Sequence, residues 1–197
     1  MQIGLFPLPN LVLLPGTVVP LYVFEPRYRE LLKRVLKRKE PFGMVRIKTE
    51  VESYHPDLRV SRIGTLAHIL KVEHHPDGTS SVLITGGERF EVDHFDTSKH
   101  NYLSADVHLK PLTPSCDDVV QELSNLAWSA FLRSMPADIH RILEHSAPLD
   151  PTERVSFMAT NLKLSVLNMQ ALLEAETLVH RLELLLEQVA AVEHILN

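Results

Sequence analysis

Histidine is the residue type that first invites a chemical reading, with 11 among 197 residues. A histidine can ligate a metal or move a proton at neutral pH, but either task needs partners converging on one point. His74-His75 are adjacent, and in a strand adjacent rings point to opposite faces, which makes a poor chelate. His140 and His145 diverge around a helix. His55, His94, His100 and His108 lie among Asp57, Asp93, Asp96 and Asp106 without the closed spacing of a structural zinc site. These are expected to be surface and turn histidines, with no metal bound. Cys116, the single cysteine, precedes a predicted helix whose dipole could stabilise its thiolate. It lacks a sequence partner to act as base, and alone it excludes an internal disulfide or a cysteine-rich zinc site. Gly86-Gly87 is too short for a phosphate loop, and neither Gly-x-x-x-x-Gly-Lys-Ser/Thr nor Gly-x-Ser-x-Gly occurs. The residues therefore predict no catalytic group, no cofactor and no enzyme.

Composition narrows the remaining classes. The apolar content of 45% is ordinary for a globular protein, and the formal charge of -5 gives no encouragement to nucleic-acid binding. Arg34, Lys37, Arg38 and Lys39 read as the polar end of a surface helix. The opening stretch, Met1 to Leu36, is apolar enough to suggest a targeting segment, but it has no basic start, and Pro7, Pro9, Pro15 and Pro20 interrupt every candidate helix. No run is long enough to cross a membrane. A reduced, cytoplasmic location is the expectation.

Around these residues the pattern predicts two parts. Within the opening stretch, two short buried strands flank the Pro15-Gly16 turn, the second covering Val18 to Phe24. Pro26 starts a helix in which Tyr28, Leu31, Leu32, Val35 and Leu36 recur at helical spacing. Glu25 and Glu30 near its start and Lys37 to Lys39 near its end complement the helix dipole. Phe42 to Ile47 reads as a strand and Lys48 to Arg62 as a polar loop. Thr65 to Glu73 and Ser80 to Thr85 form a hairpin about Asp77-Gly78. The first of these strands is apolar on both faces, which suits a closed barrel with a helix on one outer side. Gly86-Gly87 marks a bulge or sharp bend, and Leu103 to Leu109 is the last strand. After Pro111 to Pro114 the pattern turns helical, with starts near Ser115 or Asp117, at Pro136, at Asp150-Pro151, and a final helix from about Asn168 to His194. Residues 1–110 are thus expected to be β-rich and 111–197 a helical bundle.

The opening motif carries a resemblance. Phe6-Pro-Leu-Pro, Leu14-Pro15-Gly16, Pro20-Leu21 and Phe24-Glu-Pro-Arg-Tyr28 followed by Leu31 resemble the N-terminal substrate-recognition domain of Lon proteases. Gly64-Thr65, Asp77-Gly78, Gly86 with Arg89-Phe90, Asn168 to Glu174 and Arg181-Leu182 continue it in order. The resemblance implies an α+β fold: a mostly antiparallel PUA-like pseudo-barrel followed by a C-terminal helical bundle. It also implies a non-catalytic module that binds unfolded or exposed hydrophobic polypeptide segments. An adaptor for one folded partner, or a homodimerising module, is the alternative.

The family brings no catalytic constellation. Pro15, Gly16, Glu25, Arg27 and Tyr28 match its most recognisable positions, and their duties read as structural: a turn and the anchor of the first helix. The contact candidates are Leu13, Leu14, Tyr22 and Phe24 on the β-rich part and Trp128 on the helical part, with an inter-subdomain surface as the expected place for a ligand.

Overall fold

The computed structural model describes residues 1–146 and 148–196, which divide into two compact units, Met1–Pro111 and Leu112–Asn197. The first unit holds six strands among its described residues: β1 (Gln2–Leu8), β2 (Val18–Val23), β3 (Phe42–Arg46), β4 (Ile63–His74), β5 (Ser80–Asp96) and β6 (Ser104–Leu109). It also holds helix α1 (Pro26–Arg38) and the single-turn α2 (Pro56–Arg59), which lies inside the stretch expected to be loop. The strand order is β2-β5-β4-β3-β1-β6, and β5 pairs with β6 as well.

That extra pairing gives the sheet its shape. The 17 residues of β5 serve two arms. Its first part lies between β2 and β4, from Val23↔Ser80 to Val18↔Thr85. Its last part pairs with β6, from Phe90↔Leu109 to Asp96↔Ser104. Gly86 and Gly87 stand at the change, as expected of a bend. Register shifts between Thr65 and Ala67 and between Val92 and His94 add the local twist that curls the strands round.

The expected PUA-like pseudo-barrel is corrected here. A barrel leaves no edge; in this sheet β2 pairs only with β5 among the described residues and remains an edge strand. β1 also runs parallel to β3, from Leu5↔Gly43 to Leu8↔Arg46. The result is a ring-like mixed sheet and not a barrel. Apolar residues on both faces of β4 had suggested closure, but two separate cores account for them. One gathers Leu5, Val45, Leu66, Phe90, Val92 and Val107 from the strands of the ring. The other packs Tyr28, Leu31, Leu32 and Val35 of α1 against Phe6, Leu21, Val82 and Ile84.

α1 begins where proline places it. Pro26 takes the first helical position, and Lys39 closes the helix in the left-handed region at φ 54. Glu25 stands at the N-cap without capping through its side chain. Its carboxylate instead meets Arg27 at 2.8 Å, and the Arg27 guanidinium lies 4.6 Å over the Tyr28 ring. Tyr28 is buried and stacks on Phe6 at 4.1 Å; burial, the larger influence, pushes its phenol above its ordinary pKa despite Arg27.

The polar stretch after β3 carries two ion pairs, Arg62 with Asp57 at 2.6 Å and, on the more buried side, Arg46 with Glu50. Arg46 is buried, and its guanidinium donates to both oxygens of Glu50, at 2.6 and 3.2 Å. The hydrogen bond from Arg46 is the largest influence on Glu50, whose carboxyl is held down at about 2. A folded-state pKa below the unfolded one stabilises the protein above the ordinary carboxylate range and loses that contribution as pH falls toward 2. Glu50→Gln should therefore lower the urea midpoint at pH 7 and flatten its decline between about pH 5 and about pH 2. An unchanged acid profile in the variant would show that the pair does not hold the loop.

The second unit contains α3 (Asp117–Ser134), α4 (Ala137–His145), α5 (Pro151–Asn161), α6 (Val166–Glu174) and α7 (Leu178–Leu196). Asp150 caps α5 by accepting from the Thr152 and Glu153 amides, and Ser165 caps α6 by accepting from Asn168. The single helix expected from Asn168 to His194 is two. Ala175 leaves helical geometry at ψ 134, and Thr177 then bonds the His180 amide. The break goes with a bridge from Thr113 to Thr177, a contact distant in sequence.

Candidate functional site

The outer arm of the sheet builds the site. Because β2 and β4 flank the first part of β5, cross-strand registers place their residues in rows. Pro20, Leu83 and Lys71 form one row, and Tyr22, Ser81 and Glu73 the next. Val18 and Thr85 precede them, opposite His68. On this face Val18, Tyr22, Leu83 and, just beyond the strand, Phe24 are exposed at 53%, 55%, 37% and 58%. The intervening Leu21 and Val23 are buried against α1. Leu70, pushed out by the register shift between Ile69 and Lys71, is exposed as well.

β2 was expected to be a buried strand. It is buried on one face only, and four of the positions Val18 to Phe24 present apolar side chains outward. Tyr22 is held in place there. Its hydroxyl donates to Thr79 Oγ1 at 2.9 Å, and its ring lies 6.1 Å from Phe24 and 6.2 Å from His75. Thr79 is itself fixed by Asp77, whose carboxyl is lowered in pKa chiefly by the Thr79 hydroxyl. The hairpin turn thus orients the aromatic pair. A shallow depression of about 120 Å³ runs beside it, lined by Pro20, Lys71, Glu73, Ser81 and Leu83.

The other contact candidates fall elsewhere. Leu13 and Leu14 are 1% and 2% exposed and belong to the core, so they form no part of this surface. The turn that follows them explains why: Thr17 bonds the Leu14 carbonyl, with Pro15 and Gly16 (φ 78) as the central residues. Gly86 then bonds two residues of the turn, accepting from the Gly16 N–H and donating its own N–H to the Thr17 carbonyl. Trp128 lies half-buried in the second unit, 5.3 Å from Phe131 and 6.0 Å from Phe157, with Arg154 over its ring. Leu83 and Leu70 were missed by the sequence reading. Only the β2–β5 register, which is not local, sets Leu83 opposite Pro20, and Leu70 stands at the shift between Ile69 and Lys71.

Among the described residues the titratable groups form small, scattered surface clusters. His108 meets Asp93 at 2.8 Å, with Glu91 and Lys110 beyond it; His100 sits between Arg34 and Glu30; His68 faces Glu88 at 3.6 Å. These are separate surface pairings. Among the described residues no group of three or more His, Cys, Asp or Glu is placed to hold a metal ion. Cys116 is exposed at the N-cap of α3. No helix among the described residues is long and apolar enough to cross a membrane.

The face of β2, β5 and β4 is thus open and apolar, and the ion pairs lie elsewhere on the unit. The model of the ATP-dependent protease La (LON) substrate-binding domain matches residues 2–191, and the chain belongs to that family. The match is to the non-catalytic, substrate-binding part. Lon protease 1 of Hydrogenovibrio crunogenus is 28% identical over 91% of this chain, and Lon protease 2 of Syntrophobacter fumaroxidans 26% over 98%. The chain spans only 22% and 24% of those two proteins. In fold it is similar to the N-terminal domain of the Mycobacterium avium complex Lon protease, with a TM-score of 0.74 at 17% identity, covering 96% of this chain and 98% of that one. A Lon N-terminal domain protein from Xanthomonas campestris gives 0.69 at 25% identity, covering 95% and 98%.

Proposed function

We propose that this domain recognises unfolded polypeptide in the cytoplasm by seating extended apolar segments across the exposed face of β2, β5 and β4. The observation that supports this reading most is the row Val18, Pro20, Tyr22 and Phe24, apolar and outward along a sheet edge where a soluble protein ordinarily places charge. Aromatic side chains fixed from below give large contact area at low entropic cost, which suits ligands that share hydrophobicity and not sequence. Lys71 and Glu73 at the far side of the face supply both signs of charge, so neither acidic nor basic segments are excluded there.

Seating across the face is preferred to strand addition at the β2 edge. The Gly86 amide bonds Thr17, so the strand's odd-numbered positions turn their backbone groups toward β5 and Pro20 faces the free edge. A proline there offers no N–H in the middle of the ladder. Edge-to-edge pairing of two copies, the homodimer alternative, meets the same obstacle.

Tyr22→Asp is the direct test. Tyr22 is more than half exposed, so the variant should keep the wild-type circular dichroism spectrum. Its affinity for a reduced and alkylated, permanently unfolded protein, read by fluorescence anisotropy, should fall about tenfold or more. Unchanged affinity in the folded variant would remove this face from the proposal.

A further inference from the structure

A second surface, on the opposite side of the sheet arm from the apolar face, is carried by the charges of α1. From Pro26 to Lys39 there are seven basic residues and one acid, Glu30, in a chain whose formal charge is -5. Helix-dipole compensation explains Lys37, Arg38 and Lys39 at the C-terminal end. It does not explain Arg27 and Arg29, which stand in a first turn that has no acidic residue, where positive charge is unfavourable. Arg29, Lys33 and Lys37 also follow one another at i, i+4, the spacing at which like charges repel. Internal partners relieve part of this: Arg34 binds Glu40 and Tyr102, Arg27 binds Glu25, and Arg38 approaches Glu40 at 4.0 Å. Lys33, Lys37 and Lys39 are exposed and form no ion pair among the described residues.

Beside these lysines a groove of about 280 Å³ opens between the end of α1 and β4. Val35, Leu36, Pro41 and Ile69 give it apolar walls, and Lys39, Glu40 and His68 its polar ones. Glu40 is already engaged by Arg34 at 2.8 Å, which leaves Lys39 as the lining charge without an ion pair. Leu36, at 38% exposure, faces solvent within a helix turn of three cations.

We propose that this basic helix face and its groove dock an acidic polypeptide segment carrying apolar side chains, the carboxylates meeting Lys33, Lys37 and Lys39 and an apolar residue entering beside Leu36. Charge complementarity selects the sign of the partner and the groove selects its apolar content. A nucleic acid fits less well. The sequence pI is about 6.1, and the charge beyond α1 is acidic, whereas a polyanion needs a broad basic footprint. This surface is separate from the Tyr22 face, so the two readings fail independently.

The test uses the full chain and fluorescence anisotropy with a synthetic peptide alternating Glu with Leu, its Gln-for-Glu counterpart, and an oligothymidylate. The Glu peptide should bind, and binding should weaken about tenfold or more when Lys33→Glu, Lys37→Glu and Lys39→Glu are combined, and also as salt rises from about 50 to about 300 mM. The milder Lys→Gln triple variant should give the same direction with a smaller change, and Tyr22→Asp should leave this binding intact. Equal affinity for the Glu and Gln peptides, retention in either folded triple variant, or tighter binding of the oligothymidylate would overturn the proposal. So would self-association, seen by sedimentation, that is lost in the triple variants while the Glu peptide does not bind.

Discussion

Phe90→Ala should lower the stability of the N-terminal unit by about 3–5 kcal/mol, a large share of what a domain of this kind has. Phe90 is 0% exposed and stands in the core formed by the strands of the ring. Two glycines show how closely the ring is built round it. A Cβ at Gly43 would lie 2.8 Å from Phe90 Cζ, and one at Gly64 would lie 2.6 Å from the same atom. The pairing registers bring them there, since Gly64 is opposite Phe90 on β5 and Gly43 is opposite Leu66 on β4. Removing the ring leaves a cavity that the strands, locked by their ladders, cannot close. Urea unfolding followed by far-UV circular dichroism measures the loss, and Phe90→Leu gives a graded point if the alanine variant is unfolded at the outset. A second feature makes the prediction specific. Gly43→Ala should be harmful alone, but less so in the Phe90→Ala background, because its neighbours Leu5 and Ile3 are side-chain ends that can move into the vacated space. Strict additivity, or a loss below about 1 kcal/mol for Phe90→Ala, would mean that the ring is not organised round this residue.

Gly86→Ala is the second large effect, and the adjacent Gly87→Ala is its control. A Cβ at Gly86 would lie 2.2 Å from the carbonyl oxygen of Leu14 and 3.0 Å from its carbon. Those are backbone atoms of the Pro15-Gly16 turn, which also bonds Gly86 in both directions, so the added methyl can be accommodated only by separating the turn from β5. Overpacking of this kind costs about 1–3 kcal/mol and occasionally more, and the loss of the turn's hydrogen bonds places Gly86→Ala at the upper end. At Gly87 the nearest atoms belong to the imidazole of His68, which is 46% exposed and free to rotate away. Thermal unfolding should therefore show a large fall in Tm for Gly86→Ala and a small one for Gly87→Ala. Because the turn leads into β2, Gly86→Ala should also weaken binding of an unfolded probe protein at the Tyr22 face, even at temperatures where the variant is folded. Equal, small effects at both glycines would show that the turn can shift without disturbing the strand.

Much of the local structure was legible in the chain. Proline at the first helical position and a basic final turn placed α1; Asp77-Gly78 placed the β4–β5 turn; Asp150 ahead of Pro151 placed α5. Each of these is decided by residues within a few positions of one another. Pro15 and Gly16 make a local turn, whereas Tyr28 packs on Phe6, a contact that reaches back to β1. The last helix was misjudged for the complementary reason. Its leucines run at helical spacing through Ala175 to Thr177, and only the bridge to Thr113, some sixty positions away, accompanies the break.

The candidate site was half legible. Tyr22 and Phe24 stand on the exposed face, while Leu13 and Leu14, equally apolar and nearby in sequence, are buried. Hydrophobicity reports the tendency of a side chain to leave water, not whether a partner surface is present to receive it. For Leu13 that surface is supplied by the core cluster it shares with α1, β4 and β5; for Tyr22 and Phe24 nothing in the described unit covers them. By itself the sequence determined the family, the apolar character of the opening stretch, the first helix and the absence of catalytic motifs. Tertiary structure alone decided that β1 pairs parallel with β3, that β5 is shared between two arms, and that β2 remains an edge, so the sheet is a ring-like one and not a barrel. Those outcomes rest on pairings between strands tens of residues apart, and pairing of that range is settled by which registers bury two cores at once.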